Sequence, residues 1–160
     1  MVEWTKICCA VDFSDASCFA MAEAADLARR FGAELTLIHV HELPPGAEVP
    51  LDESEIEMIS VDLERSLAAW RAEAGRRLGG PAQSKVRVGD PAKELVRFAR
   101  DTGVDLIVVG SHGDKGLRTL VLGSVAERVI RDAPCPVLVI RQKEITDATF
   151  ARESARSAAV

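Results

Sequence analysis

Five short apolar runs punctuate the chain, and apolar residues recur at helical spacing in the segments between them. The runs are Lys6–Val11 (KICCAV), Glu34–Val40 (ELTLIHV), Lys85–Val88, Leu106–Val109 and Pro136–Ile140 (PVLVI). Short apolar runs bounded by turn residues predict buried strands. Lys85–Val88 alternates polar and apolar, which predicts a strand with one exposed face, at an edge of the sheet. Between the first two runs, Ala16, Phe19, Ala20, Ala24, Leu27, Ala28 and Phe31 recur at helical spacing. That spacing predicts a helix capped by Ser14 or Asp15 and stopped at Gly32. Leu43–Pro50 is a loop by its proline and glycine content. Ile56, Ile59, Leu63, Leu67, Trp70 and Ala74 then form one apolar stripe of a long helix, which Gly79–Gly80–Pro81 ends. Asp90 followed by Pro91 opens a third helix, with Leu95, Val96 and Ala99 facing inward. A fourth opens near Ser124, carries Val125, Val129 and Ile130, and breaks at Pro134.

Strands alternating with helices predict an α/β fold, with parallel strands joined by right-handed crossovers. In such open sheets a ligand sits beyond the carboxyl ends of the strands, where the strand order reverses. Two strands end in residues suited to ligand contact, the first at Asp12 and the fourth at Gly110. Placing these two side by side gives a single-domain, open, parallel five-stranded sheet of order 3-2-1-4-5 with helices on both faces, Rossmann-like in outline. The domain is expected over residues 3–141. The polar, alanine-rich stretch 142–160 is expected to be disordered or a loosely docked helix.

Composition narrows the function classes. The 160 residues suffice for one domain with a real core. A net charge of −5 argues against the basic footprint that nucleic-acid binding requires. Aromatic residues make up 4% of the chain and tyrosine is absent, which leaves little for stacking against single strands. No apolar run approaches the ~20 residues of a membrane span. The opening MVEWTKICC lacks the pattern of a signal peptide, so the chain reads as cytoplasmic and not membrane-bound. Cys8, Cys9, Cys18 and Cys135 have no metal or redox spacing and read as small buried hydrophobes. Cys8 and Cys9 should point to opposite faces of their strand.

The candidate chemistry lies in DLIVVGSHGDKGLRTLVLGS, Asp105 to Ser124. A buried strand runs into Gly110–Ser111–His112–Gly113, and nine residues later Gly123–Ser124 stands at a helix start. Glycine lets backbone N–H groups approach a ligand closely, and a helix N-terminus offers unpaired donors to a phosphate. Neither G-x-x-x-x-G-K-[S/T] nor G-x-G-x-x-G is present, so ordinary P-loop and dinucleotide readings lack their main feature. His39 and His41 share one strand face, and with His112 they raise a metal site. No carboxylate or cysteine completes a ligand set, so no metal residues are assigned. Pro136–Ile140 is an apolar edge, and pairing it with the same strand of a second copy would cover it. The alternative cover is the C-terminal tail.

These residues resemble the universal stress protein family from Lys6 to Arg141. The glycine signature is similar to the family's nucleotide-binding pattern of G-x-x-G, nine residues, then G-[S/T]. Ala10–Ser17 (AVDFSDAS), the LIHV strand end, Gly89–Pro91 and Ala126–Arg141 match as well. The resemblance implies an ATP-binding stress-response regulator, a homodimeric sensor or adaptor with a regulatory protein partner, ATP carrying Mg2+, and at most slow hydrolysis. The other reading is a dimeric interaction module that binds no nucleotide. Carried over by position, Asp12 would accept from the adenine or ribose side, and Ala10, Val11 and Val40 would line the base. Gly110, His112 and Gly113 would bring backbone to the sugar and phosphates, with Ser111 as a further phosphate contact. Gly123, Ser124 and Val125 would hold the terminal phosphates, Ser124 also capping its helix. One departure is Asp114, an acid where the family often has a basic or small residue; Lys115 and Arg118 stand near it to offset the charge.

Overall fold

The computed structural model describes residues 3–44, 51–112 and 122–141. Nine elements follow in strict alternation: β1 (Lys6–Ala10), α1 (Asp15–Phe31), β2 (Glu34–His41), α2 (Glu53–Leu78), β3 (Gln83–Val88), α3 (Pro91–Thr102), β4 (Leu106–Gly110), α4 (Ser124–Asp132) and β5 (Val137–Ile140). All strand pairs are parallel, in the order β3-β2-β1-β4-β5, which is the predicted order. β1 and β4 are therefore central neighbours, with Cys8 beside Ile107 and Cys9 beside Val108. Strand order reverses between them, so their carboxyl ends flank the crevice.

The strand period of two divides the core into two layers. Ile7, Cys9, Leu35, Leu37, Leu106 and Val108 face one side and pack on α1 and α2. Cys8, Ile38, Ile107 and Val109 face the other and pack with Leu95, Phe98, Ala99 and Val129 of α3 and α4. Cys8 and Cys9 thus point oppositely, as expected, and burial pushes both thiols far above the ordinary cysteine range. They act as small apolar residues.

The helix ends follow local chemistry. Ser14 caps α1 by accepting from Ser17 N–H, Asp52 caps α2 in a capping box with Glu55, and Asp90 caps α3 by accepting from Lys93 N–H. Gly32, Gly79 and Gly103 close these three helices in the left-handed conformation.

Four expectations need correction. Val11 lies one residue beyond β1, although its N–H still donates to the Ile38 carbonyl at 2.9 Å. Phe31 and Ile130 are exposed at the rims of their helices. The apolar stripe of α2 is only partly covered. At 26 residues this helix is about 39 Å long, whereas a five-residue strand spans about 17 Å. Its first half overhangs the sheet, so on the stripe Ile56 is exposed and Ile59 and Leu63 are half-buried, while Leu67 and Ala74 are buried. The last correction is the capping of α4, described with the site.

At the opposite end of the sheet, Asp105 Oδ2 accepts from Thr5 N–H, Thr5 Oγ1–H and Lys6 N–H, all at 2.8–2.9 Å. This fastens the start of β1 to the start of β4. The Thr5 hydrogen bonds, foremost that of its hydroxyl, hold the Asp105 carboxyl below the usual aspartate range. A carboxylate held down in the folded state stabilises it above the unfolded aspartate value, about 3.9, and loses that contribution as pH falls through the lower folded value. Asp105→Ala is expected to cost about 1.5 kcal/mol at neutral pH, a value kept small because solvent reaches the carboxylate. Urea melts at pH 7 and pH 3 check this: the gap between variant and parent should shrink at pH 3. An equal gap at both pH values would refute the role of the charge.

Candidate functional site

Two loops leave the carboxyl edge of the sheet near the reversal point, one joining β1 to α1 and one joining β4 to α4. The first is Val11–Asp12–Phe13–Ser14. Asp12 is exposed, and its Oδ1 accepts from Ser14 N–H at 3.0 Å and from the Ser14 hydroxyl. Asp12 N–H donates to Ser17 Oγ at 3.3 Å. An aspartate bonding the backbone two residues on forms an Asx-turn. This turn brings the chain from β1 into α1 and leaves the carboxylate at the crevice. Phe13 completes the turn with φ of +64°, the one positive φ at a non-glycine residue among the described residues. That conformation is costly for a residue bearing a Cβ and persists only where packing holds it. Here the Phe13 ring sits between His39 and Trp70, at centroid distances of 4.7 and 5.5 Å.

The second loop follows β4. Gly110 belongs to the strand, paired with Ile140 of β5. A Cβ at this glycine would lie 3.2 Å from the carbonyl carbon and oxygen of Ala16 and 3.3 Å from its Cβ. Gly110 thus lets the first turn of α1 press against the end of β4. Ser111 is buried at 4% exposure; its N–H donates to the Ile140 carbonyl at 2.9 Å and its carbonyl accepts from Gly123 N–H at 2.8 Å. Ser111 Oγ lies 2.9 Å from His112 Nδ1, an orienting contact for His112 that the sequence did not disclose.

The far end of this second loop enters α4. Gly123, not Ser124, is the N-cap, and among the described residues no side chain caps this helix; Ser124 is its first residue and is exposed. A Cβ on Gly123 would lie 3.1 Å from the Ser111 carbonyl oxygen, so glycine permits the close seating of α4 on the β4 exit. Among the described residues α4 alone begins without a side-chain cap, whereas α1, α2 and α3 each spend a side-chain oxygen on theirs. The first N–H groups of a helix have no partner within it. The start of α4 therefore keeps donors and a positive dipole end for an incoming anion.

Asp90 and Arg128 brace α4 from behind. Arg128 Nη1 and Nη2 donate to the two Asp90 oxygens at 2.8 and 2.9 Å, while Asp90 also caps α3. This forked pair ties α4 to α3. The Arg128 hydrogen bonds hold the Asp90 carboxyl below its ordinary range. Sequence reading marked Asp90 as a cap and had no signal for its second partner.

Of the residues singled out from sequence, Ala10, Val40 and Val125 border one core layer, the α3–α4 side. Val11 is buried on the α1–α2 side. Gly110, Ser111, His112 and Gly123 cluster where β4 meets α4. Asp12 stands at the neighbouring strand exit. Gly113, Asp114, Lys115 and Arg118 lie outside the described residues, as does the tail 142–160. Phe13, His39 and Trp70 escaped the sequence reading as a group: nothing in one sequence places a strand histidine, a loop phenylalanine and a helix tryptophan together. His39 Nδ1 donates to the Val11 carbonyl at 2.8 Å. No group of three histidine, cysteine or acidic side chains is set to hold a metal among the described residues.

Known proteins share this fold. The universal stress protein family profile matches residues 3–141. Universal stress protein MJ0531 of Methanocaldococcus jannaschii is 37% identical over 142 residues, covering 87% of this chain and 83% of the relative. The structure of universal stress protein UspA from Lactobacillus plantarum superposes with a TM-score of 0.74 at 26% identity, covering 88% of this chain and 100% of the other. A universal stress protein from Archaeoglobus fulgidus, solved in complex with dAMP, superposes with a TM-score of 0.61 at 28% identity, covering 88% and 99%. The chain belongs to the universal stress protein family.

Proposed function

We propose that this chain is an ATP-binding regulator of a stress response, acting as a homodimeric sensor or adaptor for a regulatory protein partner. The observation that carries the reading is the uncapped start of α4, seated by Gly123 against Ser111 beside the β1–β4 reversal point. A helix start of this kind, at this place in a parallel sheet, favours phosphate groups. The dAMP bound to the Archaeoglobus relative supports adenine as the base.

In this reading Ala10, Val11 and Val40 line the base and Asp12 accepts from adenine or ribose. Gly110, Ser111, His112 and Gly113 border the sugar and inner phosphates. Gly123, Ser124 and Val125 hold the terminal phosphates. Magnesium would arrive with the nucleotide: the Ser124 hydroxyl is an oxygen donor at the start of α4, and phosphates supply most Mg2+ ligands in such sites. The ion would neutralise phosphate charge. ATP then serves as a signal, with at most slow hydrolysis.

The dimer would form along β5. Val137, Leu138, Val139 and Ile140 are all half-exposed, and they make an apolar edge strand. Pairing with a second β5 satisfies that edge. None of the described helices is long and apolar enough to cross a membrane, and the reading places the protein in the cytoplasm.

Titration calorimetry of nucleotide-stripped protein with Mg-ATP tests the reading, with Mg-GTP as the comparison. Saturable binding of ATP and much weaker binding of GTP are expected. Folded protein that binds no ATP at millimolar concentration would overturn the proposal and favour a dimeric interaction module without nucleotide.

A further inference from the structure

We infer that His39 is a positioning residue for Asp12, holding the backbone on both sides of the carboxylate that meets the nucleoside. The inference rests on the nucleotide reading of the site. On the N-terminal side of Asp12, the Val11 carbonyl accepts from His39 Nδ1 at 2.8 Å. A carbonyl has no proton to give, so Nδ1 carries the hydrogen. On the C-terminal side, the Phe13 ring lies on the His39 imidazole at 4.7 Å, with the ring planes 38° apart. Trp70 of α2 closes the far side of Phe13 edge-on, at 5.5 Å and 81°. One imidazole therefore anchors residues 11 and 13, and Asp12 is the exposed residue between them.

The place of His39 in β2 explains why a polar ring stands there. Leu35 and Leu37 precede it on the same strand face and are fully buried in the core. Continuing the alternation would put another apolar side chain at 39. At this level, however, β1 has ended, and the layer contains the Val11 carbonyl, which a leucine would leave unpaired. Leaving such a buried group unpaired costs more than the hydrogen bond itself contributes. The ring also gives Phe13 a surface to rest on while it holds φ of +64°. Without both contacts the Asx-turn could relax, and Asp12 would no longer be presented at a fixed place to a ribose or base.

The test separates the nucleoside end of the ligand from its phosphates. His39→Phe keeps a ring for Phe13 and removes the donor. His39→Asn keeps a donor near the Nδ1 position and removes the ring. Each is titrated with ATP, adenosine and inorganic tripolyphosphate, alongside Asp12→Ala and the Asp12→Ala/His39→Phe double variant. In His39→Phe, ATP and adenosine should bind about tenfold more weakly, the factor equivalent to one hydrogen bond. Tripolyphosphate should bind as it does to the parent, and His39→Asn should recover part of the loss. The double variant should bind no more weakly than Asp12→Ala alone, since His39 acts through Asp12. Should His39→Phe fail to fold, Phe13→Leu removes the second contact and should weaken adenosine without affecting tripolyphosphate. Unchanged adenosine binding in a folded variant overturns the inference. So does an equal loss for tripolyphosphate, or losses that multiply in the double variant. A parent protein that binds none of the three ligands overturns the nucleotide reading itself, and this inference with it.

Discussion

Gly110→Val is expected to lower the unfolding free energy by about 3 kcal/mol, the upper end of what overpacking a close contact costs. For a chain of this size that corresponds to a melting temperature about 9 °C lower. Gly110 is the last residue of β4, and valine favours strands, so propensity alone would predict stabilisation. The geometry predicts the reverse. A Cβ would meet the Ala16 carbonyl carbon and oxygen at 3.2 Å, and two of the three nearest atoms are backbone. Backbone cannot swing aside as a long side chain can, so α1 must lift from the sheet. Calorimetric melting of the parent and the variant decides between the two. An unchanged or raised melting temperature would show that the α1–β4 contact is looser than the structure indicates.

Gly123→Val should weaken Mg-ATP binding about a hundredfold, equivalent to about 2.7 kcal/mol, with a smaller effect on folding. Valine is compatible with the φ of −61° and ψ of 151° at this position, so the backbone itself tolerates the change. Its side chain is not compatible with the neighbours: the Cβ would stand 3.1 Å from the Ser111 carbonyl oxygen and 3.6 Å from His112 Cα. The 2.8 Å bond from Gly123 N–H to that carbonyl seats α4 on the β4 exit. Pushing the two apart moves the uncapped N–H groups away from the crevice where phosphates would lie. Calorimetry with Mg-ATP, together with a thermal melt, separates lost binding from lost folding. Retention of parental affinity would remove the α4 start from the binding site.

How far the fold was legible depended on how local its causes are. The alternation of strands and helices, the cap Asp90, a first cap at Ser14 or Asp15, and the closing glycines Gly32 and Gly79 all follow from patterns within a few residues, and the structure selects Ser14. The strand order followed from a different clue: the two strands with ligand-suited exits, at Asp12 and Gly110, belong side by side at the reversal point. The overhang of α2 was not legible. Periodicity says which face of a helix is apolar, not whether a sheet lies beneath it, and Ile56 at 39% exposed shows the difference against the fully buried Leu67 on the same stripe.

The site divides in the same way. Gly110, Ser111, His112, Gly123 and Ser124 were marked by spacing, and the structure gathers them where β4 meets α4. Ser124, marked as a cap, turned out to be the first helical residue, because a cap is defined by the backbone angles and bonds of the preceding turn rather than by residue type.

By itself the sequence determined the element order, the two-sided burial of the central strands and the glycine-bearing loops. These depend on side-chain period and backbone permissiveness, which neighbouring residues settle between them. The tertiary structure alone decided that Gly110 serves Ala16, that Arg128 grips Asp90 across two helices, and that His39 and Trp70 clasp Phe13. Each of those contacts joins residues far apart in the chain. Their partners are chosen by the closure of the sheet and the seating of helices on it, and no local pattern encodes that choice.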